Sequence, residues 1–358
     1  MPTRKLTTAY EDELALFPGR YHKLGLALAA VLLLGFPLVA DAHALAVAHT
    51  AAIAVVGAIG MMILTGFCGQ VSLGHAAFLA LGAYTVAILG GTFGWPFWLA
   101  LPAAGLVAAA IGLLVGPFAL RLQGLYLAIV TVGLLFLVDH LLRNGLDLAY
   151  GRDYLTVPMH PWFVSGDARS GLGTFRAPGA IDPAIRLYLV LVLVALFATW
   201  ISHNLQRSRT GRAMMAVRDR DLAAEVLGVE AAATKFLAFG LSSFFAGVAG
   251  GLYAFAHPVV TLEPFGLAMS VGYIAMVVLG GAGTTFGAVA GAIAFTALLP
   301  LAEALGALLP FPDGFSSENR AVLLFYPALC LFLVFEPLGL LGIWLRIKRY
   351  FMAWPFRY

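Results

Sequence analysis

Trp98–Ala119 reads WLALPAAGLVAAAIGLLVGPFA, with no charged side chain and no polar face on any helical register. A helix needs about 20 apolar residues to cross the hydrocarbon core of a bilayer. A helix on the surface of a soluble domain would instead carry a polar stripe. This stretch therefore predicts a membrane span, and the same ruler applied outward finds more of them. On the N-terminal side it predicts spans near 24–40, 44–65 and 71–90. On the C-terminal side it predicts 124–142, 187–203, 234–256, 267–280, 285–304 and 321–345. The near-continuous run Gly266–Pro300 is divided at Gly280-Gly281-Ala282-Gly283, because glycines break helices there. The expectation is an all-α polytopic membrane protein with about ten transmembrane helices. The composition agrees: 61% of the 358 residues are apolar and only 11% charged, against roughly 25% charged in soluble domains.

The predicted spans divide the chain into a tail (1–23), a transmembrane domain (24–345) and a basic tail (346–358). Two long polar segments interrupt the domain, at 143–186 and 205–233. Orientation follows from the excess of Lys and Arg in cytoplasmic loops. Arg4, Lys5, Arg20, Lys23, Arg121, Arg207, Arg209, Arg212, Arg218, Arg220, Lys235, Arg346, Lys348, Arg349 and Arg357 fall on one side. Arg143, Arg152, Arg169, Arg176, Arg186 and Arg320 fall on the other, five of them in the loop 143–186. An even span count then places both termini in the cytoplasm. Met1–Arg20 has mixed charge and no clean small-residue cleavage site after the first apolar run, so it reads as a cytoplasmic tail rather than a signal peptide.

Several chemistries are absent from the sequence. There is no G-x-x-x-x-G-K-[ST] loop to cradle nucleotide phosphates, and no H-E-x-x-H, C-x-x-C or G-x-S-x-G motif. The eight histidines form no zinc set, and Cys68 and Cys330 make neither a metal pair nor a disulfide framework. Ionisable groups within spans are few: Asp139, His140 and Glu303 lie near span ends, where capping and solvation account for them, and Glu263 lies in a turn. An ion-coupled carrier usually keeps such groups near the midplane, so their scarcity counts against that class.

Three local patterns carry more. In Gly69–Thr85 (GQVSLGHAAFLALGAYT), Gln70, Ser72 and His75 are neutral hydrogen-bonding groups in an apolar run and are expected to face the bundle interior. They read equally as interhelical polar joints or as the lining of a translocation path. Tyr84, Tyr126 and Thr131 join them as pathway candidates. Gly283, Gly287 and Gly291 recur every fourth residue and form a groove that admits a second backbone; Gly112 with Gly116 and Gly247 with Gly251 repeat the device. Finally, Ala213–Leu227 is expected to form an amphipathic cytoplasmic helix with Met214, Val217, Asp221 and Leu222 on or near one face. Asp221 and Glu225 are like charges at i, i+4, which a merely solvated helix avoids, so this helix is expected to dock on another protein.

The chain resembles the LivM-type permeases of ABC importers. The resemblance rests on GQVSLGHAAFLALGAYT (Gly69–Thr85), RLQGLYLAIVTVG (Arg121–Gly133), TGRAMMAVRDRDLAAEVLGV (Thr210–Val229), KFLAFGLSSFFAGVAGGLYA (Lys235–Ala254), VVLGGAGTTFGAVAGA (Val277–Ala292) and FEPLGLLG (Phe335–Gly342), in that order. It departs at Ala288, where the family often has proline, and at Gly151–Pro158, where many members have a smaller glycine-rich segment. The resemblance implies a non-catalytic permease subunit in a bacterial inner membrane, importing branched-chain or related amino acids. Urea, amides and organic or aromatic acids are alternative cargoes within the same class, and an ion-coupled secondary carrier is the competing class. It also implies a second, LivH-type permease, two ATPase subunits and a periplasmic solute-binding protein as partners. No cofactor is expected on this chain; ATP and Mg belong to the ATPases. The coupling helix it implies carries Arg212, Arg218, Asp219, Asp221, Glu225 and Gly228 as candidate ATPase contacts.

Overall fold

The computed structural model describes residues 32–91, 93–120, 124–150, 155–156, 183–257, 259–308, 317–336 and 338–353. The tail 1–23, the start of the first predicted span, Arg121, most of the loop 143–186 including Gly151–Tyr154, and residues 354–358 lie outside them. After a helical stretch at 32–39, the chain forms α1 (Ala42–Met61), α2 (His75–Gly91), α3 (Phe97–Leu120), α4 (Leu125–Tyr150) and α5 (Pro183–Arg207). Two short helices follow, α6 (Arg209–Asp219) and α7 (Asp221–Val226), then α8 (Ala231–Ala256), α9 (Leu267–Gly280), α10 (Thr285–Leu308), α11 (Ser317–Phe335) and α12 (Gly339–Ala353).

Among the described residues, six helices are long and apolar enough to cross a membrane: α1 with its continuation to Phe67, α3, α4, α5, α8 and α10. Three shorter apolar helices accompany them: α2, α9 and Leu323–Phe332 within α11. The protein is thus a mostly helical, polytopic membrane protein. A pair of two-residue strands, β1 (Leu155–Thr156) and β2 (Val259–Val260), departs from the all-α expectation. They pair antiparallel, Leu155 opposite Val260, because two extended connections lying side by side can satisfy each other's backbone groups.

α8 is the centre of the bundle, packed against α1, α2 and α3. Glycine permits the close approach. A Cβ on Gly82 of α2 would land on the Gly247 carbonyl of α8, and one on Gly250 of α8 would land on the Leu79 carbonyl of α2. Gly112 and Gly116 of α3 face Ser243 and Phe236 of α8, while Gly247 faces Ala104 and Ala108 of α3. In a medium as apolar as the side chains, this backbone-to-backbone packing supplies the helix association that the hydrophobic effect supplies in water.

Three expectations are corrected here. The predicted span 71–90 becomes a helix only from His75, since Gly69 has φ +72° and the chain from Gln70 to Gly74 is not helical. The predicted span 321–345 is two helices, α11 and α12. Pro337 cannot donate a backbone N–H, Gly339 turns the chain at φ +64°, and the Gly339 N–H bonds the Glu336 carbonyl at 2.9 Å. The predicted helix Ala213–Leu227 is also two helices, separated at Arg220, whose backbone is extended (φ −160°, ψ 110°).

Candidate functional site

The first candidate region is the break after α1. Here α1 widens into a π-helix (Met62–Phe67), a form that is rare and often marks functional positions. The Gln70 N–H reaches back to the Leu64 carbonyl (3.0 Å), and the Thr65 hydroxyl donates to the Gln70 carbonyl (3.2 Å). The chain then turns into the bundle, so that α2 begins inside it. His75 Nε2–H donates to the carbonyl of Gly57, well within α1 (2.9 Å), and its ring meets Tyr273 of α9 edge-on at 5.1 Å. The Leu73 N–H donates to Thr131 Oγ1 of α4 (3.0 Å), and the Ala76 N–H donates to Ser270 Oγ of α9 (2.9 Å). A helix of seventeen residues (α2) spans about 25 Å and one of fourteen (α9) about 21 Å, both less than the roughly 30 Å of a hydrocarbon core. Two short helices therefore meet through their first turns: Ser270 of α9 satisfies the orphan Ala76 N–H of α2, and Thr131 satisfies the Leu73 N–H just before that helix.

This arrangement places the pathway candidates. Ser72, His75 and Thr131 are buried and bonded within the chain, as interhelical joints are. Gln70 is buried too, and its Oε1 has no hydrogen-bond partner among the described residues. Tyr84 is buried, with its hydroxyl donating to the Val260 carbonyl (3.4 Å). Tyr126 stands apart on the outer face of α4, 71% exposed. Ser270→Ala leaves the Ala76 N–H buried without its acceptor, at a cost of about 1–3 kcal/mol. It is expected to lower the thermal unfolding midpoint in detergent by several degrees, and an unchanged midpoint would remove the α2–α9 joint.

The second region is the α6–α7 unit. Ser208 caps α6 by accepting from the Gly211 N–H (3.1 Å). Met214 and Val217 are buried against the bundle, so the part of the strip on α6 faces inward, whereas Leu222 of the same predicted strip does not. Arg218 points inward as well: its Nη1 donates to the Gly66 carbonyl at 2.8 Å, while Nε and Nη2 hold Asp219. Asp221 forms an ion pair with Lys235 of α8, and both line a crevice of about 790 Å³ together with Arg220, Leu222 and Glu225. Arg212 donates to the Arg207 carbonyl (2.7 Å), and Gly228, at φ +85°, closes the turn after α7. The outward face consists of Leu222, Val226 and Leu227, respectively 79%, 87% and 82% exposed, with Glu225 beside them. Thus Arg218 and Asp221 bond within their own chain, Asp219 and Glu225 remain exposed, and three apolar residues stand exposed on α7 and just after it.

The glycine motif divides in two. Gly287 and Gly291 line the contact of α10 with the end of α9; a Cβ on Gly291 would strike the Met276 carbonyl, and one on Gly287 the Gly281 carbonyl. Gly283 is not on that helix face, because it lies in the turn before α10 with φ +96°. Beneath the turn, Gln206 Nε2 donates to the Gly283 carbonyl (3.4 Å) and Thr285 Oγ1 donates to Gln206 Oε1 (3.3 Å). A separate cleft of about 460 Å³ opens between the stretch 32–39, α1, α5 and α10. Among the described residues its walls are aliphatic and aromatic apart from the hydroxyls of Tyr188, Thr199 and Thr296.

Sequence reasoning missed Ser270, Tyr273, Lys235, Val226 and Leu227. Ser270 and Lys235 were legible only as polar residues at the ends of apolar runs. Leu227, just before Gly228, was hidden by the assumption of one continuous helix.

Residues 43–333 match the family described as branched-chain amino acid transport system permease component. The high-affinity branched-chain amino acid transport system permease proteins LivM of Escherichia coli (strain K12) and Salmonella typhimurium are each 36% identical to this chain, over 284 and 282 residues. Each match covers 76% of this chain and 66% of the relative, so the chain spans just under two thirds of their length. No solved structure matches it. With the match running from the start of α1 into α11, through the broken helix, the α6–α7 unit and the α9–α10 glycine turn, this chain belongs to the family of branched-chain amino acid transport system permease components.

Proposed function

We propose that this chain is the non-catalytic, membrane-spanning permease subunit of an ATP-driven importer for branched-chain or related amino acids. The observation that carries the reading is the α6–α7 unit, tethered on one face to the bundle and presenting Leu222, Val226 and Leu227 on the other. A contiguous apolar patch on a polar connecting segment has no lipid to cover it and fits a protein partner. In this reading the partner is an ATPase subunit, which brings ATP and Mg. A second permease completes the membrane pair, a second ATPase completes the cytoplasmic one, and a periplasmic binding protein delivers the solute. The chain crosses a bacterial inner membrane ten times, through the stretch 24–40, α1, α2, α3, α4, α5, α8, α9, α10 and α11. Residues 1–23, the α6–α7 unit and residues 346–358 lie on the cytoplasmic side. The domain 24–345 then forms one permease body, with the loop 143–186 toward the binding protein.

Transport proceeds by alternating access: ATP-driven closure of the ATPases favours one of two bundle arrangements, and hydrolysis releases it. Ser72, His75, Thr131 and Gln70 surround the helix break where the bundle changes arrangement, and Tyr126 faces outward toward the second permease. The test is purification of the chain from its native membranes in mild detergent, followed by leucine uptake in vesicles with and without ATP inside the donor compartment of the ATPases. Co-purifying ATPase and ATP-dependent leucine uptake are the expected results. A chain that purifies alone and carries leucine without ATP would refute the importer.

A further inference from the structure

The side chain of Arg218 occupies a place that two separate helix interruptions leave open. From one side comes the end of the π-helix: the Gly66 carbonyl accepts from Nη1 at 2.8 Å, and a Cβ on Gly69 would lie 2.8 Å from Arg218 Cγ. From the other side comes the turn between α9 and α10, where a Cβ on Gly283 would lie 2.8 Å from Arg218 Nη1. The two interruptions also touch each other, since a Cβ on Gly66 would lie 2.8 Å from the Gly283 nitrogen. Gly69 and Gly283 both have positive φ, at 72° and 96°, so each turn is built on a conformation that side chains disfavour and each leaves the volume a side chain would take. The helix that leaves the first interruption and the helix that enters the second are also linked elsewhere, where the Ala76 N–H of α2 meets Ser270 of α9.

We propose that Arg218 is a positioning residue that makes α6 and the two helix interruptions move as one body, so that displacement of α6 by its partner is delivered to α2, α9 and α10. The proposal rests on the permease reading and adds to it the residue through which coupling passes. A guanidinium suits this position because its planar fork can hold the Gly66 carbonyl and Asp219 at once, whereas an ammonium is a point donor. Met214 and Val217 bury α6 against the bundle independently of Arg218, so the unit stays docked when the fork is removed.

The test is the number of leucine molecules imported per ATP hydrolysed, measured in vesicles containing the full chain and its co-purified partners. Arg218→Met is expected to lower that ratio about tenfold or more while the ATPase subunits stay bound, and Arg218→Lys to lower it less, by about threefold. A purely structural role would lower the amount of complex and leave the ratio alone. Should Arg218→Met fail to fold, Arg218→Lys reads the same quantity. A second measurement, hydrogen exchange of 62–74 and 281–285 with and without ATP, is expected to respond to ATP in the native complex and to lose that response in the variant. An unchanged ratio in the variants, or an unchanged exchange response, overturns the proposal. Native vesicles with no bound ATPase and no ATP-driven leucine uptake would overturn the permease reading and this proposal together.

Discussion

Gly250→Val is expected to abolish recovery of folded protein, with the monodisperse yield in mild detergent falling about tenfold or more. Overpacking a core costs about 1–3 kcal/mol where neighbouring side chains can shift. Here they cannot, because the first atom the new Cβ meets is the backbone carbonyl of Leu79. Relieving that contact requires α2 to move away from α8. It would take with it the neighbouring crossing at Gly82 and Gly247, where the backbones are equally close. Gly133→Val provides the control: an added Cβ on that exposed glycine of α4 meets nothing within 4 Å, so yield should match the native chain. Equal yields of the two variants would show that the α2–α8 crossing does not hold the bundle together.

Leu222→Asp combined with Val226→Asp is expected to leave the chain folded and membrane-inserted, yet to remove the ATPase from the purified complex and lower ATP-driven uptake about tenfold or more. The two residues lie one helical turn apart on α7, on the face that Leu227 extends. Burial of an aliphatic side chain contributes about 1.5–3 kcal/mol, and a carboxylate at a dry interface reverses the sign. Because both are largely exposed in the free chain, the change should cost the fold little. Met214, one helix earlier and fully buried, makes the opposite case: Met214→Asp should lose folded protein rather than partner. A double variant that retains its ATPase would place the docking surface elsewhere.

Much of the architecture was legible because membrane solvation writes it into composition. Where lipid replaces water, an apolar run must be helical, and α3, α5, α8, α9 and α10 begin and end close to where hydropathy and glycine placed them. The break at Gly281–Gly283 was visible for the same reason, since no side chain stabilises helix there. A break between 65 and 71 was also placed, but it ended too early: the non-helical chain runs on to Gly74, through residues that hydropathy reads as span. Two breaks were not visible. At Glu336–Leu338 the sequence on both sides is apolar enough to carry a helix through, and hydropathy does not register a positive φ or a missing N–H. At Arg220 the helix propensities are ordinary. There the ion pair of Asp221 with Lys235, far along the chain, accompanies the start of a new helix.

The candidate site divides along the same line. That Ser72, His75 and Thr131 belong inside the bundle follows from the cost of leaving a polar group in lipid, and their burial needs no knowledge of their neighbours. Which groups satisfy them is a different matter. The Gly57 carbonyl that accepts from His75, and the Leu73 N–H that donates to Thr131, reach their partners from distant parts of the chain, and they do so, as Ser270 reaches the Ala76 N–H, only when α1, α4 and α9 pack around the start of α2. The α6–α7 unit makes the contrast sharpest. Amphipathicity correctly marks it as a helix-forming segment with an apolar side, but the same strip can face a bundle or a partner with equal local energy. Packing assigns Met214, Val217 and the Arg218 fork to the bundle and leaves Leu222, Val226 and Leu227 outside. Local chemistry sets which residues seek burial, and the direction in which they find it depends on surfaces assembled from the rest of the chain.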